Sequence, residues 1–132
     1  IHQLVAFICQ LAIQAVGFPG HLFRVTVHQV CTYALAATGN EPAPEGLHQD
    51  GAEFILSALV VERCNVKGGV SRIYYDASRT PALTAIELQP GQGIFQADRY
   101  LGYWHEVSSI YPDDPQNEAY RSTIGLDIEL LT

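Results

Sequence analysis

The spacing of apolar residues along the chain changes near position 17. Before it, apolar residues stand at 1, 4, 5, 8, 11, 12 and 15, which is helical spacing. This run ends at Gly17-Phe18-Pro19-Gly20, and a glycine and proline cluster of this kind stops a helix. The sequence therefore predicts an amphipathic helix over residues 1–16.

Beyond position 20, apolar and polar residues alternate with a period of two, as in β-strands. Turn-forming stretches divide this region, among them Asn65 to Gly69 and Tyr111 to Asn117, and residues 38–46 form a loop. Short strands separated by turns every 8–12 residues or so are typical of a β-sandwich or jelly roll. We expect one mainly β domain over residues 1–132, with a helix first and then strands at 22–35, 53–62, 70–76, 83–88, 93–98, 102–110 and 120–131.

The composition is that of an ordinary globular protein, with 48% hydrophobic and 16% charged residues. The net charge of −7 argues against nucleic acid or an anionic membrane as a partner. Residues 1–16 include polar positions and fall short of the roughly 20 apolar residues that span a bilayer. Because the chain begins with Ile1 and has no Met, we expect that part of the N-terminus is missing.

Three cysteines, Cys9, Cys31 and Cys64, lie in apolar stretches and form no C-x-x-C pair. An odd number of such residues predicts buried free thiols in a reducing compartment. We therefore expect a cytoplasmic protein.

A metal site is indicated by His48, Asp50 and His105. Residues i and i+2 of a strand point to the same face, so His48 and Asp50 can reach one metal ion. The flanking Gly46 and Gly51 permit a bend that aims both side chains. Two imidazoles and one carboxylate form the facial triad that holds non-haem Fe(II) and leaves positions open for O2.

Each of these residues also has a simpler interpretation. A His-x-Asp pair is common in surface turns, and His105 could be a core histidine bonded to a backbone carbonyl. The remaining histidines have no carboxylate two residues away, and we expect them to be structural or exposed: His2, His21 and His28.

Arg121 and Thr123 share a face of the last predicted strand. A guanidinium and a hydroxyl placed in this way could bind the carboxylate of an acidic co-substrate. The alternative is that Arg121 forms a salt bridge with an acid of the preceding loop, which contains Asp113, Asp114 and Glu118.

Several stretches resemble the 2-oxoglutarate/Fe(II) dioxygenases that hydroxylate free amino acids, the isoleucine-dioxygenase-like family. The resemblance extends over residues 22–130 and is specific in the combination of its motifs. These are Pro44-Glu45-Gly46-Leu47-His48-Gln49-Asp50-Gly51, Lys67-Gly68-Gly69-Val70-Ser71-Arg72-Ile73-Tyr74, Ala97-Asp98-Arg99, His105-Glu106-Val107 and Tyr120-Arg121-Ser122.

The resemblance implies a double-stranded β-helix (a jelly roll of cupin type), with Fe(II) held by His48, Asp50 and His105. It also implies that Arg121 binds the distal carboxylate of 2-oxoglutarate, with Thr123 as a helper. The implied reaction uses O2 to hydroxylate a small molecule, a free L-amino acid, and releases succinate and CO2.

The usual family members are longer than this chain. Arg99 is expected to pair with Asp98 or Glu106, although it could instead contact a substrate carboxylate. Two alternative functions are another cupin-type metalloenzyme, such as an isomerase or a cofactor-free oxygenase, and a non-catalytic module that binds small molecules. The substrate and the oligomeric state are not indicated by the sequence.

Overall fold

The computed structural model describes residues 1–17, 22–35, 46–79 and 81–131. Within these ranges the chain forms one helix followed by strands. The helix α1 is His2–Val16. The strands are β1 Leu22–Tyr33, β2 Phe54–Cys64, β3 Val66–Gly68, β4 Val70–Tyr74, β5 Ala82–Glu87, β6 Gly93–Ala97, β7 Trp104–Val107, β8 Ile110–Pro112 and β9 Tyr120–Leu131.

The strands form three antiparallel sheets. The largest has the order β1-β9-β2-β6, a second has the order β5-β4-β7, and β3 pairs with β8. In the largest sheet β9 pairs along its full length with β1, from Leu22 opposite Leu131 to Tyr33 opposite Tyr120. The pairing of β9 with β2 contains two register shifts, one between Leu56 and Leu59 and one between Val60 and Glu62, and bulges of this kind bend a strand.

Helix α1 packs on one face of the four-stranded sheet. Its buried residues Ile8 and Ala12 join a core cluster with Phe54, Leu126 and Ile128. The helix ends at Gly17, which adopts the left-handed conformation at φ 74° and donates its N–H to the Ile13 carbonyl at 3.0 Å. Among the described residues, no helix has both the length and the apolar character needed to cross a membrane.

The other face of the four-stranded sheet carries the polar side chains. Since neighbours in a strand alternate between faces, Leu126 and Ile128 of β9 point toward the helix while Arg121, Thr123 and Asp127 point away from it. The three-stranded sheet lies over this second face and contributes His105. The space between the two sheets is where the candidate site forms.

The predicted mainly β architecture with an N-terminal helix is confirmed. The predicted helix, β1 and β2 agree with the structure to within two residues, and the bounds of β9 match the prediction at both ends. Two strands of three residues each were not predicted as separate elements. Strand β3 falls in the predicted turn Asn65 to Gly69, and β8 runs from the last residue of the predicted strand 102–110 into the predicted turn that begins at Tyr111. The predicted loop at 38–45 and the residues Phe18 to His21 lie outside the described part of the chain.

The prediction of buried cysteines is wrong. Cys31 is exposed, and Cys9 and Cys64 are only partly buried. The reason for Cys31 lies in where the helix sits: α1 covers the sheet near Phe23 and Val25, at the other end of β1. Apolar neighbours in the sequence therefore do not imply burial on this strand.

Candidate metal centre

His48 and His105 lie opposite each other in an isolated antiparallel bridge. The His48 N–H donates to the His105 carbonyl at 2.9 Å, and the His105 N–H donates to the His48 carbonyl at 3.0 Å. Since His105 is on β7, this bridge adds His48 to the edge of the three-stranded sheet. Side chains of directly opposite residues lie on the same face, and the two ring centroids are 4.3 Å apart.

The orientation of the His48 ring is fixed by a backbone carbonyl. Its Nδ1 lies 2.8 Å from the carbonyl oxygen of Gly46. A carbonyl oxygen only accepts hydrogen bonds, so Nδ1 must carry the proton. The lone pair of Nε2 is then directed away from Gly46 and is available to a metal ion.

Asp50 completes the group. One of its carboxylate oxygens lies 3.1 Å from His48 Nε2, and the other lies 3.7 Å from His105 Nε2. One potential ligand atom from each of the three side chains falls within 4.8 Å of the others. Adjacent ligands of an octahedral metal ion stand about 3 Å apart when the metal–ligand bonds are about 2.1 Å. Two neutral imidazoles and a carboxylate at these distances fit the donor set of a non-haem Fe(II) site.

Neighbouring groups and burial shift the pKa of Asp50 in opposite directions. Desolvation raises the pKa of Asp50, the neighbouring His48 lowers it, and the nearby Asp127 carboxylate raises it again. The net effect is a raised pKa. A divalent cation bound at Asp50 would offset both the desolvation and the repulsion from Asp127.

Arg121 is buried in the same cavity, with 3% of its surface exposed. Its Nε and Nη2 have no hydrogen-bond partner within the described ranges. Desolvation, together with the positive charge of Arg63, lowers the pKa of Arg121 to about 10. The alternative salt bridge to the loop containing Asp113, Asp114 and Glu118 is absent from the described structure. A buried guanidinium without partners is costly, and an anion bound in the cavity would offset that cost.

The Gly68-Gly69 turn makes room for Arg121. Both glycines have positive φ, at 82° and 70°. A Cβ on Gly69 would lie 3.0 Å from Ile110 Cγ2 and 3.4 Å from Arg121 Cδ. The lack of a side chain at Gly69 thus leaves space for Ile110 and Arg121, and at Gly68 it lets the chain pass the Ser109 carbonyl.

One cavity of about 360 Å³ connects these groups. It is lined by the three potential metal ligands, by Arg121 and by Thr123. Leu56 and Val107 supply apolar wall. The structure thus brings together all five residues that the sequence singled out, and their individual roles stay predictions.

A further pair in the cavity was not predicted as part of a site. His28 of β1 and Asp127 of β9 form a hydrogen-bonded pair, with Nε2 and Oδ2 2.6 Å apart, and both line the cavity. His28 was expected to be structural or exposed, and it is exposed as well as cavity-lining. Its position became clear only from the β1–β9 register, which places it opposite Gly125.

The remaining predicted residues lie elsewhere. Arg99 pairs with Glu53, so the expected pairing with Asp98 or Glu106 is wrong. The turn containing Arg99 is held against residues 52–53, since the Arg99 N–H donates to the Ala52 carbonyl at 2.8 Å. His2 is exposed on the helix, and His21 lies outside the described residues.

A jelly roll of antiparallel strands that encloses two histidines and a carboxylate is the arrangement typical of non-haem Fe(II) oxygenases. Comparison with family models then gives a specific result: the model described as 2OG-Fe dioxygenase matches residues 1–127. The chain belongs to the 2OG-Fe dioxygenase family. Members of this family use Fe(II) and 2-oxoglutarate.

Two solved structures are similar to this chain. IDO (isoleucine dioxygenase) from Bacillus thuringiensis has a TM-score of 0.79 and 17% identity, over 100% of this chain and 56% of that one. A bsmA homolog from Methylobium petroleophilum PM1 has a TM-score of 0.65 and 26% identity, over 81% of this chain and 41% of that one. This chain thus spans less than two thirds of either protein. The likeness to IDO confirms the predicted double-stranded β-helix. No curated protein sequence matches the chain.

Proposed function

We propose that this protein is an Fe(II)- and 2-oxoglutarate-dependent dioxygenase that hydroxylates a small molecule, a free L-amino acid. The observation that carries the proposal is the shared cavity. A two-histidine, one-carboxylate group and a buried, unpartnered arginine line its walls. A metal alone would explain the first feature, while an anionic co-substrate accounts for the second.

In this proposal His48, Asp50 and His105 hold Fe(II) through His48 Nε2, His105 Nε2 and a carboxylate oxygen. Three ligands on one side leave the other coordination positions open to 2-oxoglutarate and O2. The bound Fe(II) supplies the oxidative chemistry, in which 2-oxoglutarate is converted to succinate and CO2 while the substrate is hydroxylated. The protein fixes the ligand geometry through the His48–His105 bridge.

Arg121 binds the distal carboxylate of 2-oxoglutarate. Its guanidinium offers unused N–H donors in a low-dielectric setting, where a charge-assisted hydrogen bond is strong. Thr123 lies two residues further on the same face and can add a hydroxyl donor. Desolvation lowers the pKa of Arg121, and the negative charge of the bound carboxylate would offset this by favouring the charged guanidinium.

The apolar wall keeps water from the reacting carbon. Leu56, Ala58 and Val107 line the cavity near the polar groups. Excluding water strengthens each electrostatic contact in the site and prevents side reactions. These residues orient the substrate by shape alone, without hydrogen bonds.

A zwitterionic substrate is supported by the His28–Asp127 pair. Asp127 lies on the same strand as Arg121 and six positions beyond it, which at about 3.3 Å per residue is roughly 20 Å along β9. The carboxylate of Asp127 can accept from an ammonium group, and an imidazole N–H of His28 can donate to a carboxylate. The metal ligand Asp50 interacts electrostatically with both residues, so the pair is close to the proposed iron position.

The test is an anaerobic titration of the protein with Fe(II) and 2-oxoglutarate, followed by the weak visible charge-transfer absorption of the chelate. We expect the band in the wild type, no band in His48→Ala, and a band only at higher 2-oxoglutarate concentration in Arg121→Ala. Aerobic release of succinate with a panel of L-amino acids then identifies the substrate.

Each outcome separates this function from its alternatives. Metal binding without the band would favour another cupin-type metalloenzyme. Amino acid binding without metal binding or succinate release would favour a non-catalytic module.

A cytoplasmic location is supported by the absence of disulfides among the three cysteines, and it stays a prediction.

A further inference from the structure

Asp98 follows strand β6 and is completely buried, with 0% of its surface exposed. It lies between the two segments that carry the proposed iron ligands. Its Oδ2 accepts a hydrogen bond from the Gly51 N–H at 2.7 Å, directly after Asp50 in the chain. Its Oδ1 lies 3.8 Å from Nδ1 of His105.

The backbone around Asp98 is held by hydrogen bonds. The Asp98 N–H donates to the Glu53 carbonyl at 3.0 Å. Its own carbonyl accepts from the N–H groups of Gly102 and Tyr103, at 2.8 and 3.1 Å. With the main chain held at three points, the Asp98 side chain has a fixed origin, and a closure of about 1 Å brings Oδ1 within bonding distance of His105.

A completely buried carboxyl oxygen requires a donor. Oδ1 of Asp98 has none at hydrogen-bond distance within the described residues. The imidazole Nδ1 of His105 faces it, with the opposite ring nitrogen, Nε2, 3.7 Å from the Asp50 carboxylate. The proposed ligand His48 has the corresponding arrangement, since its Nδ1 is fixed by the Gly46 carbonyl.

We propose that Asp98 is the positioning residue of the metal centre: it accepts a hydrogen bond from His105 Nδ1 while holding the Gly51 N–H. The inference rests on the proposed function, because it concerns the partner of a proposed iron ligand. The bond keeps the proton of neutral His105 on Nδ1 and leaves the Nε2 lone pair for the metal. Through Gly51, the same carboxyl group holds the segment that carries Asp50. One side chain thus positions two of the three ligands.

The substitution Asp98→Asn should reverse the hydrogen bond between residue 98 and His105. This substitution keeps the shape of the side chain, but its amide has one oxygen and one NH2 group. If the amide oxygen of the substituted side chain still accepts the hydrogen bond from the Gly51 N–H, its NH2 group faces His105 Nδ1. Because an NH2 group only donates, Nδ1 must then accept that hydrogen bond. The proton moves to Nε2, where it blocks the metal position. Outer partners of metal-bound histidines contribute about 10–100-fold to metal affinity, and a loss of that size is expected.

The first readout is the tautomer of His105 in the metal-free protein. Long-range 1H–15N NMR distinguishes protonated from bare ring nitrogens, and the His105 signals are assigned by their loss in His105→Gln. We expect the Nδ1–H form in the wild type and in Glu53→Gln, and the Nε2–H form in Asp98→Asn. Glu53→Gln is the matched control, because it changes a partly buried carboxylate of the adjoining turn that bonds to Arg99 and to the Leu130 N–H.

The second readout is anaerobic titration with Co(II), followed by its visible absorption. We expect Asp98→Asn to bind 10–100-fold more weakly than the wild type, and Glu53→Gln to bind within twofold of it. A purely structural role for Asp98 would lower the melting temperature without changing the tautomer.

An Nε2–H tautomer in the wild type overturns the inference, and this result needs no variant that folds. Equal Co(II) affinity for wild type and Asp98→Asn, with the Nδ1–H tautomer in both, also overturns it. Absence of Co(II) binding in the wild type contradicts the proposed iron site instead, and the tautomer of the metal-free protein still decides the role of Asp98.

Discussion

The peptide groups of His48 and His105 donate to and accept from each other, so that two residues far apart in sequence form one hydrogen-bonded pair. Their relative position is therefore set by the main chain, and the imidazoles contribute little to holding the segments together. Substituting either side chain leaves both backbone bonds in place. Because the backbone holds the two segments and the side chains are the proposed metal ligands, the ligands can be substituted without unfolding the protein.

The first prediction concerns these side chains. His48→Ala and His105→Ala should each lower anaerobic Fe(II) or Co(II) affinity by more than about 100-fold, because a first-row metal then keeps only two protein ligands. The circular dichroism spectrum should be unchanged. His28→Ala is the matched control, since His28 lines the same cavity without belonging to the ligand group. Tight metal binding by His48→Ala would contradict the proposed site.

The second prediction is that Arg121 stabilises the complex with 2-oxoglutarate and destabilises the free protein. Arg121→Met should weaken 2-oxoglutarate binding about 10–100-fold, since a hydrogen bond to a charged group contributes about 1.5–3 kcal/mol. The same variant should raise the free energy of unfolding by about 1–4 kcal/mol, because it removes a buried cation without partners. Calorimetric binding and chemical denaturation measure the two effects. If Arg121 instead stabilised the folded protein, Arg121→Met would lower the free energy of unfolding.

The third prediction uses two glycines of similar backbone conformation, Gly69 and Gly91, at φ 70° and 85°. Gly69→Ala should destabilise the protein by about 1–2 kcal/mol from left-handed strain and should crowd Arg121, which reduces 2-oxoglutarate affinity. Gly91→Ala has the strain alone, since a Cβ there meets nothing within 4 Å. Equal 2-oxoglutarate affinity in both variants would show that Arg121 does not depend on the space at Gly69.

The fourth prediction concerns pH and Glu53. Desolvation raises the pKa of Glu53, but the hydrogen bonds from Arg99 and the Leu130 N–H outweigh it. The pKa of Glu53 is therefore below its ordinary value. A carboxylate with a lowered pKa in the folded state contributes stability above its unfolded pKa of about 4–5, and this stability is lost as pH falls through the folded value. The difference in unfolding free energy between wild type and Glu53→Gln should therefore be largest near neutral pH and shrink below about pH 4. A constant difference between pH 7 and pH 3 would argue against this.

The parts of the site that sit on one strand could be predicted from the sequence. The period of two puts Arg121 and Thr123 on one face of a long strand, and the structure has that strand at Tyr120–Leu131. Likewise, the i and i+2 spacing of His48 and Asp50 lets both reach one point, although an isolated bridge rather than a strand carries them. In each case the information is local.

The parts that depend on register could not be predicted. His28 meets Asp127 only because β1 pairs with β9 over its whole length, and a shift by one residue would turn His28 to the other face. Arg99 meets Glu53 because a turn after β6 lies against the segment before β2. These contacts join positions about 50 or 100 residues apart, where the alternation pattern contains no information.

The two sides of the cavity differ in how firmly they are tethered. Strand β9, which carries Arg121, is bonded to neighbours on both edges, whereas β1, which carries His28, is bonded on one edge within the described ranges. In hydrogen-exchange measurements we expect β1 to lose protection before β9, because an edge strand can fray without breaking the sheet. In the proposed function, a cavity with one pliant side and one rigid side would let substrate enter and product leave across β1 while 2-oxoglutarate stays bound at Arg121, and this would favour binding of the co-substrate before the substrate.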